Sequence, residues 1–447
     1  MPRRIIFFIA AFSLFAQQDP TIRLDVQQVL VPVIVTDKKG HHVSGLHASD
    51  FQIFEDGVPQ TIASFSSDTA GAVDDIVALA KSGTTPPSGP RRTFVICVDT
   101  LHTAPANASR MRDALQNLFE KERPGDAQYV LIGVGRQMQV LQAATTNPLA
   151  LLIKLRGPDF QSSMGGMDAS ALSAELQNLR SRMDELCKRC ACGTRASRAT
   201  CDSEIETLKQ SVDSVADRWT APTNGMLEQF TNVVGELAKL PTGRTLILVS
   251  DGFNVNPKRE FYAAVSAYLP NRPQFRLEET KEEPALRDAL KVASERNVTI
   301  YTVDSRGGAT ASLASIGSMD AGSSAGGGGG VSMIGTNRSV TAGAPSLRSG
   351  NIQSAPGLQA NPFAAGADSA TMEELAHATG GVYFHESGDM FKQFRSALAD
   401  GREYYVLAYT PKNTAADGKF RRITVETTGK NLNIRAKEGY WAPGVAQ

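Results

Sequence analysis

Two acids stand at the ends of two unusually apolar runs. In TFVICVDTLHT, residues 93–103, the run from Phe94 to Val98 leads straight into Asp99. In RTLILVSDGFN, residues 244–254, the run from Leu246 to Val249 leads into Ser250 and Asp251. A segment that is apolar at every position marks a strand covered on both faces, as in a parallel sheet. Two such strands, each delivering a carboxylate at its C-terminal end, imply one shared crevice. Carboxylates brought together repel, and a divalent cation between them would remove that repulsion. The alternative is that both acids cap backbone N–H groups of neighbouring loops.

The elements that must hold these strands follow in order. Met111, Leu115, Leu118 and Phe119 share one face of a helix after Asp99. Strands are predicted at Tyr129 to Val134 and at Val140 to Ala144, and Pro148 opens a helix through Leu155. Leu227, Phe230, Val233, Val234 and Leu237 mark a helix before the Asp251 strand. Leu286, Ala289, Leu290 and Ala293 mark the next helix, with a strand from Val298 to Val303 after it. Beyond residue 370 come a helix from Thr371 to Ala378, a strand from Val382 to Phe384, a helix carrying Met390, Phe391, Phe394 and Leu398, and a strand from Tyr404 to Tyr409. Alternating strands and helices predict an α/β domain over residues 93–304 and 371–410. It would be a doubly wound, mostly parallel sheet with helices on both faces.

The flanks read differently. Residues 1–16, with Arg3 and Arg4 ahead of an apolar stretch from Ile5 to Phe15, have the form of an export signal. No other run approaches the ~20 apolar residues of a membrane helix. Exported protein, periplasmic, on the cell surface or secreted, without stable membrane insertion, is the expectation. Residues 21–67 predict a small β unit: Val29, Val31, Val33 and Val35 alternate, and FQIFEDGVPQTIASF reads as strand, Asp-Gly turn, strand. Residues 68–92 read as a Gly/Ser/Thr/Pro linker, and 411–443 as a C-terminal β-hairpin docking with the N-terminal unit, which together would form a small β-rich unit.

Two insertions interrupt the α/β pattern. Residues 157–224 predict an antiparallel helical hairpin, with Leu172, Leu176, Leu179, Met183 and Leu186 on one stripe and Ile205, Leu208, Val212, Val215 and Trp219 on the other. Cys187, Cys190, Cys192 and Cys201 lie at its tip. An exported chain favours disulfides, and Cys187 with Cys201 would staple the two helices; a Cys₄ zinc knot is the rival. Cys97, on a buried strand, is a small core residue. Residues 305–370, Gly/Ser-rich with an unbroken run from Gly326 to Gly330, predict a disordered excursion.

This order of elements, with acids at the two strand ends, resembles a von Willebrand factor A domain. The N-terminal pattern VxVPVxVTDxxGxxVxGLxxxDFxIFEDGxPQxI ahead of it is similar to exported VWFA-related proteins described mainly from Acidobacteria. The resemblance implies a metal-ion-dependent adhesion site at the strand C-termini, with an Asp-x-Ser-x-Ser loop, a Thr from a second loop and an Asp from a third. Carried onto this chain, Asp99 and Thr103 match the first loop, Thr145 (with Thr146 as alternate) the second, and Asp251 the third. Leu101 stands where the first Ser belongs and offers no ligand. The implied cofactor is Mg²⁺, or Mn²⁺ or Ca²⁺, bound weakly or lost, and the implied partner an unidentified protein ligand.

Composition removes other classes. Lys and Arg number 46 and so do Asp and Glu, so no net positive field draws nucleic acid. No GxSxG, HExxH or GxxxxGK[ST] string occurs. The expected function is therefore a non-enzymatic binding or adhesion module using a degenerate cation site. A metal-free scaffold is the alternative, and a hydrolase using Asp99 the third.

Overall fold

The computed structural model describes residues 28–69, 92–124, 127–164, 169–190, 199–239, 244–269, 284–307, 366–385 and 388–444. The predicted export signal, most of the linker and most of the Gly/Ser-rich insertion fall outside them.

The centre is a six-stranded sheet. Its strands are β5 (Thr93–Asp99), β6 (Gln128–Val134), β7 (Gln139–Thr145), β8 (Arg244–Ser250), β9 (Thr299–Asp304) and β10 (Tyr383–Phe384), in the order β10-β9-β8-β5-β6-β7. All neighbours are parallel except β6 and β7, so β7 is an antiparallel edge. Every residue of β5 is buried, because the pleat sends alternate side chains into two different cores. Phe94, Ile96 and Val98 enter one core with helices α1 (Pro105–Phe119) and α2 (Pro148–Arg156). Val95 and Cys97 enter the other, with Phe230 and Leu290. This is the mixed α/β arrangement that the all-apolar runs require.

After α2 come a short helix, α3 (Pro158–Ser162), and the hairpin. Its first arm, α4 (Ala169–Cys190), ends in a disulfide from Cys190 to Cys201, with Cα atoms 5.9 Å apart. Among the pairings the four tip cysteines allow, Cys201 takes Cys190 and not Cys187. Cys187 is disulfide-bonded too, and Cys192 lies outside the described residues. The second arm, α5, runs unbroken over Ala199–Leu237, 39 residues, so the predicted break at 224 is absent. Pro222 sits inside it, and Thr220 and Thr223 turn their hydroxyls onto the Ala216 and Trp219 carbonyls. One helix thus supplies both the hairpin arm and a face of the sheet. The hairpin stripe, with Met183, Ile205 and Val212 buried, packs on α6 (Pro257–Tyr268) through Phe261 and Val265.

Helix α7 (Pro284–Arg296) precedes β9, and α8 (Gly366–Ala378) resumes the chain five residues earlier than residue 371. Gly380, at φ +83°, and Gly381 turn it into β10. A Cβ on Gly381 would stand 1.9 Å from the Ile300 carbonyl oxygen, so only glycine allows that approach. Helix α9 (Met390–Asp400) completes the first core. Among the described residues no helix is long and apolar enough to cross a membrane.

The β unit is larger than expected. It has two four-stranded sheets built from β1 (Val29–Asp37), β2 (Phe51–Glu55), β3 (Val58–Gln60), β4 (Ile62–Thr69), β11 (Glu403–Tyr409), β12 (Phe420–Thr427), β13 (Leu432–Ala436) and β14 (Gly439–Trp441). The orders are β13-β1-β11-β4 and β14-β12-β2-β3. Strand β11, assigned from sequence to the α/β domain, pairs instead with β1 and β4. The C-terminal segment is not a hairpin: β12 pairs with β2 and β14, and β13 with β1. The Asp56-Gly57 turn joins β2 and β3, both residues at positive φ, as a tight hairpin requires. Glu55, the last residue of β2, is buried between the sheets and accepts hydrogen bonds from Tyr409 at 2.7 Å and Tyr440 at 3.0 Å.

A buried cluster ties this sandwich to the α/β domain. Asp400, at the end of α9, accepts from His42 Nε2 and Arg435 Nη2, both at 2.7 Å. The Asp400 hydrogen bond raises the His42 pKa above its ordinary 6.5, against the opposing effect of burial. A raised folded pKa means stability fully present below the unfolded value and lost as pH rises through the folded one. Denaturant titrations of the wild type should therefore lose stability as pH climbs above roughly 6.5. His42→Ala should remove that slope; an unchanged slope in the variant would assign it to another group.

Candidate functional site

The site lies at the C-terminal edge of the sheet, where β5 and β8 run side by side with Val98 level with Val249. That register sets Asp99 beside Ser250. The Asp99 side chain is fully buried, and four donors converge on it. Its Oδ1 accepts from the backbone N–H groups of Leu101 and His102, each at 2.9 Å. Its Oδ2 accepts from Ser250 Oγ at 2.6 Å and from His102 Nδ1 at 2.8 Å. A carboxylate has about four acceptor positions, and all four are filled. Burial alone would push this carboxyl up; the His102 charge and these hydrogen bonds outweigh it and hold it below the usual range.

His102 reaches further. Its Nε2 lies 3.0 Å from Thr223 Oγ1 on α5, and its ring stacks on Phe253 with centroids 5.2 Å apart. A chain Asp99–His102–Thr223 thus links the sheet edge to the long helix.

Asp251 gathers the neighbouring loops. Its Oδ2 accepts from Ala104 N at 2.9 Å and Asn107 Nδ2 at 2.8 Å, and its Oδ1 from the Ser305 hydroxyl. Ser305 N in turn donates to the Ser250 carbonyl at 2.9 Å. Residues 305–307, assigned from sequence to the disordered insertion, therefore belong to the site. Burial raises the Asp251 pKa in spite of the Ser305, Ala104 and Asn107 hydrogen bonds and the nearby Arg306 charge.

The remaining expected ligands divide. Thr103 is fully buried beside Ala104, and its Oγ1 meets no hydrogen-bond partner among the described residues. Leu101 is 1% exposed and packs in the same core as Val134 and Phe230. Thr145 is at the wrong end of the sheet. It pairs with Tyr129, whereas Asp99 is level with Val134, five residues further along β6. At the rise of a strand that is about 17 Å. There it accepts from Asn147 N at 3.1 Å ahead of α2, while Asn147 caps that helix. The physical reason is the antiparallel turn of β7, which carries Thr145 away from the edge its parallel neighbours reach.

A hard cation would find few free oxygens at this edge. Asp99 would have to surrender a donor for each bond to metal, Leu101 gives no oxygen, and Thr145 is remote. Water fills part of the shell of Mg²⁺ or Ca²⁺, but one hydroxyl and one open position on Asp251 leave no free carboxylate to anchor the ion. The residues present do not fit the ion.

Sequence reading missed His102, Asn107, Thr223 and Ser305, and gave Ser250 no role. A His three residues after an Asp at a strand end can fold back onto it, which was a usable signal. Thr223 carried none, because only the packing of α5 brings it there.

No family model and no curated protein matches the chain. Among solved structures it is similar to an aerotolerance-related membrane protein from Bacteroides fragilis NCTC 9343, at TM-score 0.29 and 10% identity, over 69% of this chain and 98% of that one.

The two acids should respond differently to amidation. Asp99→Asn places an amide N–H against the donors Ser250 and His102, and should cost about 3 kcal/mol in chemical denaturation. Asp251→Asn keeps an acceptor for Ala104 and Asn107 and offers a donor to the Ser305 oxygen, so its cost should be below about 1 kcal/mol. Equal costs would contradict the saturation of Asp99.

Proposed function

We propose that the chain is an exported, metal-independent protein-binding scaffold of von Willebrand factor A-like design. The observation that carries this reading is the filled Asp99 carboxylate: its lone pairs go to Leu101, His102 and Ser250, where a cation-binding loop would leave them open. Supporting it are the parallel sheet with one antiparallel edge strand and the burial of Leu101. The disulfide at the hairpin tip and the N-terminal apolar stretch support export. In this reading the acids brace the loops, and a protein partner is met on surfaces those loops and the hairpin hold in place.

A hydrolase reading draws on the Asp99–His102–Thr223 chain, which has the connectivity of acid, base and hydroxyl nucleophile. Thr223 is 2% exposed, lies within α5 and donates to the Trp219 carbonyl. A nucleophile needs an open face for substrate, and this hydroxyl has none. The chain is better read as a brace between sheet and helix.

Calorimetry of Mg²⁺, Mn²⁺ and Ca²⁺ against the full chain should show no binding at millimolar concentration, and the melting temperature should stay fixed. Leu101→Ser should lower stability by about 3 kcal/mol, as large-to-small core changes do, without creating cation affinity. Submillimolar binding in either protein would restore the adhesion-site reading.

A further inference from the structure

A stretch of neutral sequence lies on the outside of the α/β domain. Residues 137–153 contain no Asp, Glu, Lys or Arg, in a chain where 21% of residues are charged. A buried segment can do without charge, but this one is not buried. Of the seven exposed large hydrophobic residues among the described ones, four fall in it: Met138, Val140, Leu149 and Ile153.

The stretch folds as the edge of the central sheet. Strand β7 is last in the strand order, so one side of it pairs with β6 and, among the described residues, no strand pairs with the other. Helix α2 then returns along the strand. Lys154, near the end of α2, lines the same cavity as Gln139, Val140 and Leu141 at the start of β7. Leu151, Leu152 and Leu155 of α2 are buried in the first core. Leu149 and Ile153, four residues apart, share another face of the helix and are 61% and 71% exposed. Edge strands are commonly guarded by a charge or a proline. Strand β7, QVLQAAT, has neither. Its register against β6 shifts twice, which bends it and leaves its outer edge only a short regular ladder. Side chains of β7 and α2 must therefore carry much of any contact made here.

The missing charge says which partner fits. A two-fold contact sets a surface against itself, so a neutral apolar surface is its own complement. A partner rich in charge would find no opposite charge within the stretch. The charges that border it are Arg136 and Lys154. Both lie at the Gln139 end of β7. Antiparallel pairing of two β7 strands about Gln142, the middle residue, carries that end to the Thr145 end of the other copy. Neither cation then faces itself.

We propose that a second copy of this chain docks on this edge, β7 beside β7 in antiparallel sense and α2 beside α2, to form a two-fold homodimer. Seven strand residues span about 24 Å. One such strand with one short helix makes a face smaller than the ~800 Å² each partner gives to a standard interface. The dimer is therefore a weak one, formed in the micromolar range and lost on dilution.

Sedimentation equilibrium of the full chain, from about 1 to about 200 μM, is the test. The mean mass should climb from one chain toward two and stop there, as a closed two-fold contact requires. Val140→Lys combined with Ile153→Lys should keep the protein monomeric throughout, weakening association by at least about a hundredfold. Both side chains are more than half exposed, so the fold should survive, and an unchanged melting temperature at low concentration checks it. Leu30→Lys combined with Val58→Lys, at exposed apolar positions of the sandwich, should leave the dimer intact. A wild type that stays monomeric at the highest concentration would overturn the proposal. So would a dimer that survives the β7–α2 pair of changes. Equal loss through the sandwich pair, or growth past two chains, would show general stickiness in place of a defined face and would overturn it too.

Discussion

A carboxylate with no exposure to water must have its charge answered from within the protein, and Asp99 is answered four times over. The loop after β5 is bent so that two of its own amides and its histidine face back onto the acid. Strand β8 must hold register so that the Ser250 hydroxyl arrives beside it. Helix α5 must lie where Thr223 meets the far side of His102. Loss of the fit at any of these points would leave a buried charge exposed to an apolar core, so the sheet edge, the loop and the long helix are coupled through one group.

Asp251 works by the same chemistry with a different balance. It joins the β5, β8 and β9 loops through Ala104, Asn107 and Ser305, yet burial outweighs those bonds and raises its pKa. The two acids divide the labour: Asp99 stays charged in the core, and Asp251 closes the loops over it. Thr103, a buried hydroxyl, has no hydrogen-bond partner among the described residues.

The peripheral parts follow the same economy of construction. One 39-residue helix serves both as a hairpin arm and as a layer of the sheet, which fixes the hairpin's direction relative to the site. The sandwich is closed by strands from both chain ends, and the His42–Asp400–Arg435 cluster anchors it to α9.

The apolar runs of β5 and β8, and the helical stripes between them, determined by themselves that residues 93–304 make a doubly covered sheet. A strand with no polar position can only be buried on both faces, so local pattern and global fold agree there. The positions of Asp99 and Asp251 at the strand ends were equally legible. What the acids do was not, because that depends on which donors reach them. His102 could have been suspected from its spacing; Thr223, 121 residues from it, and Ser305, 54 residues from Asp251, could not. Thr145 shows the converse: its sequence context matched a loop ligand, but strand direction is a property of the sheet, and the antiparallel pairing of β7 with β6 sends it to the opposite edge. In the sandwich, strands β12 and β13 looked like one hairpin because they adjoin in sequence. Their allotment to opposite sheets was decided by the long-range partners β2 and β1, whose hydrogen-bonding edges only the folded chain brings to them.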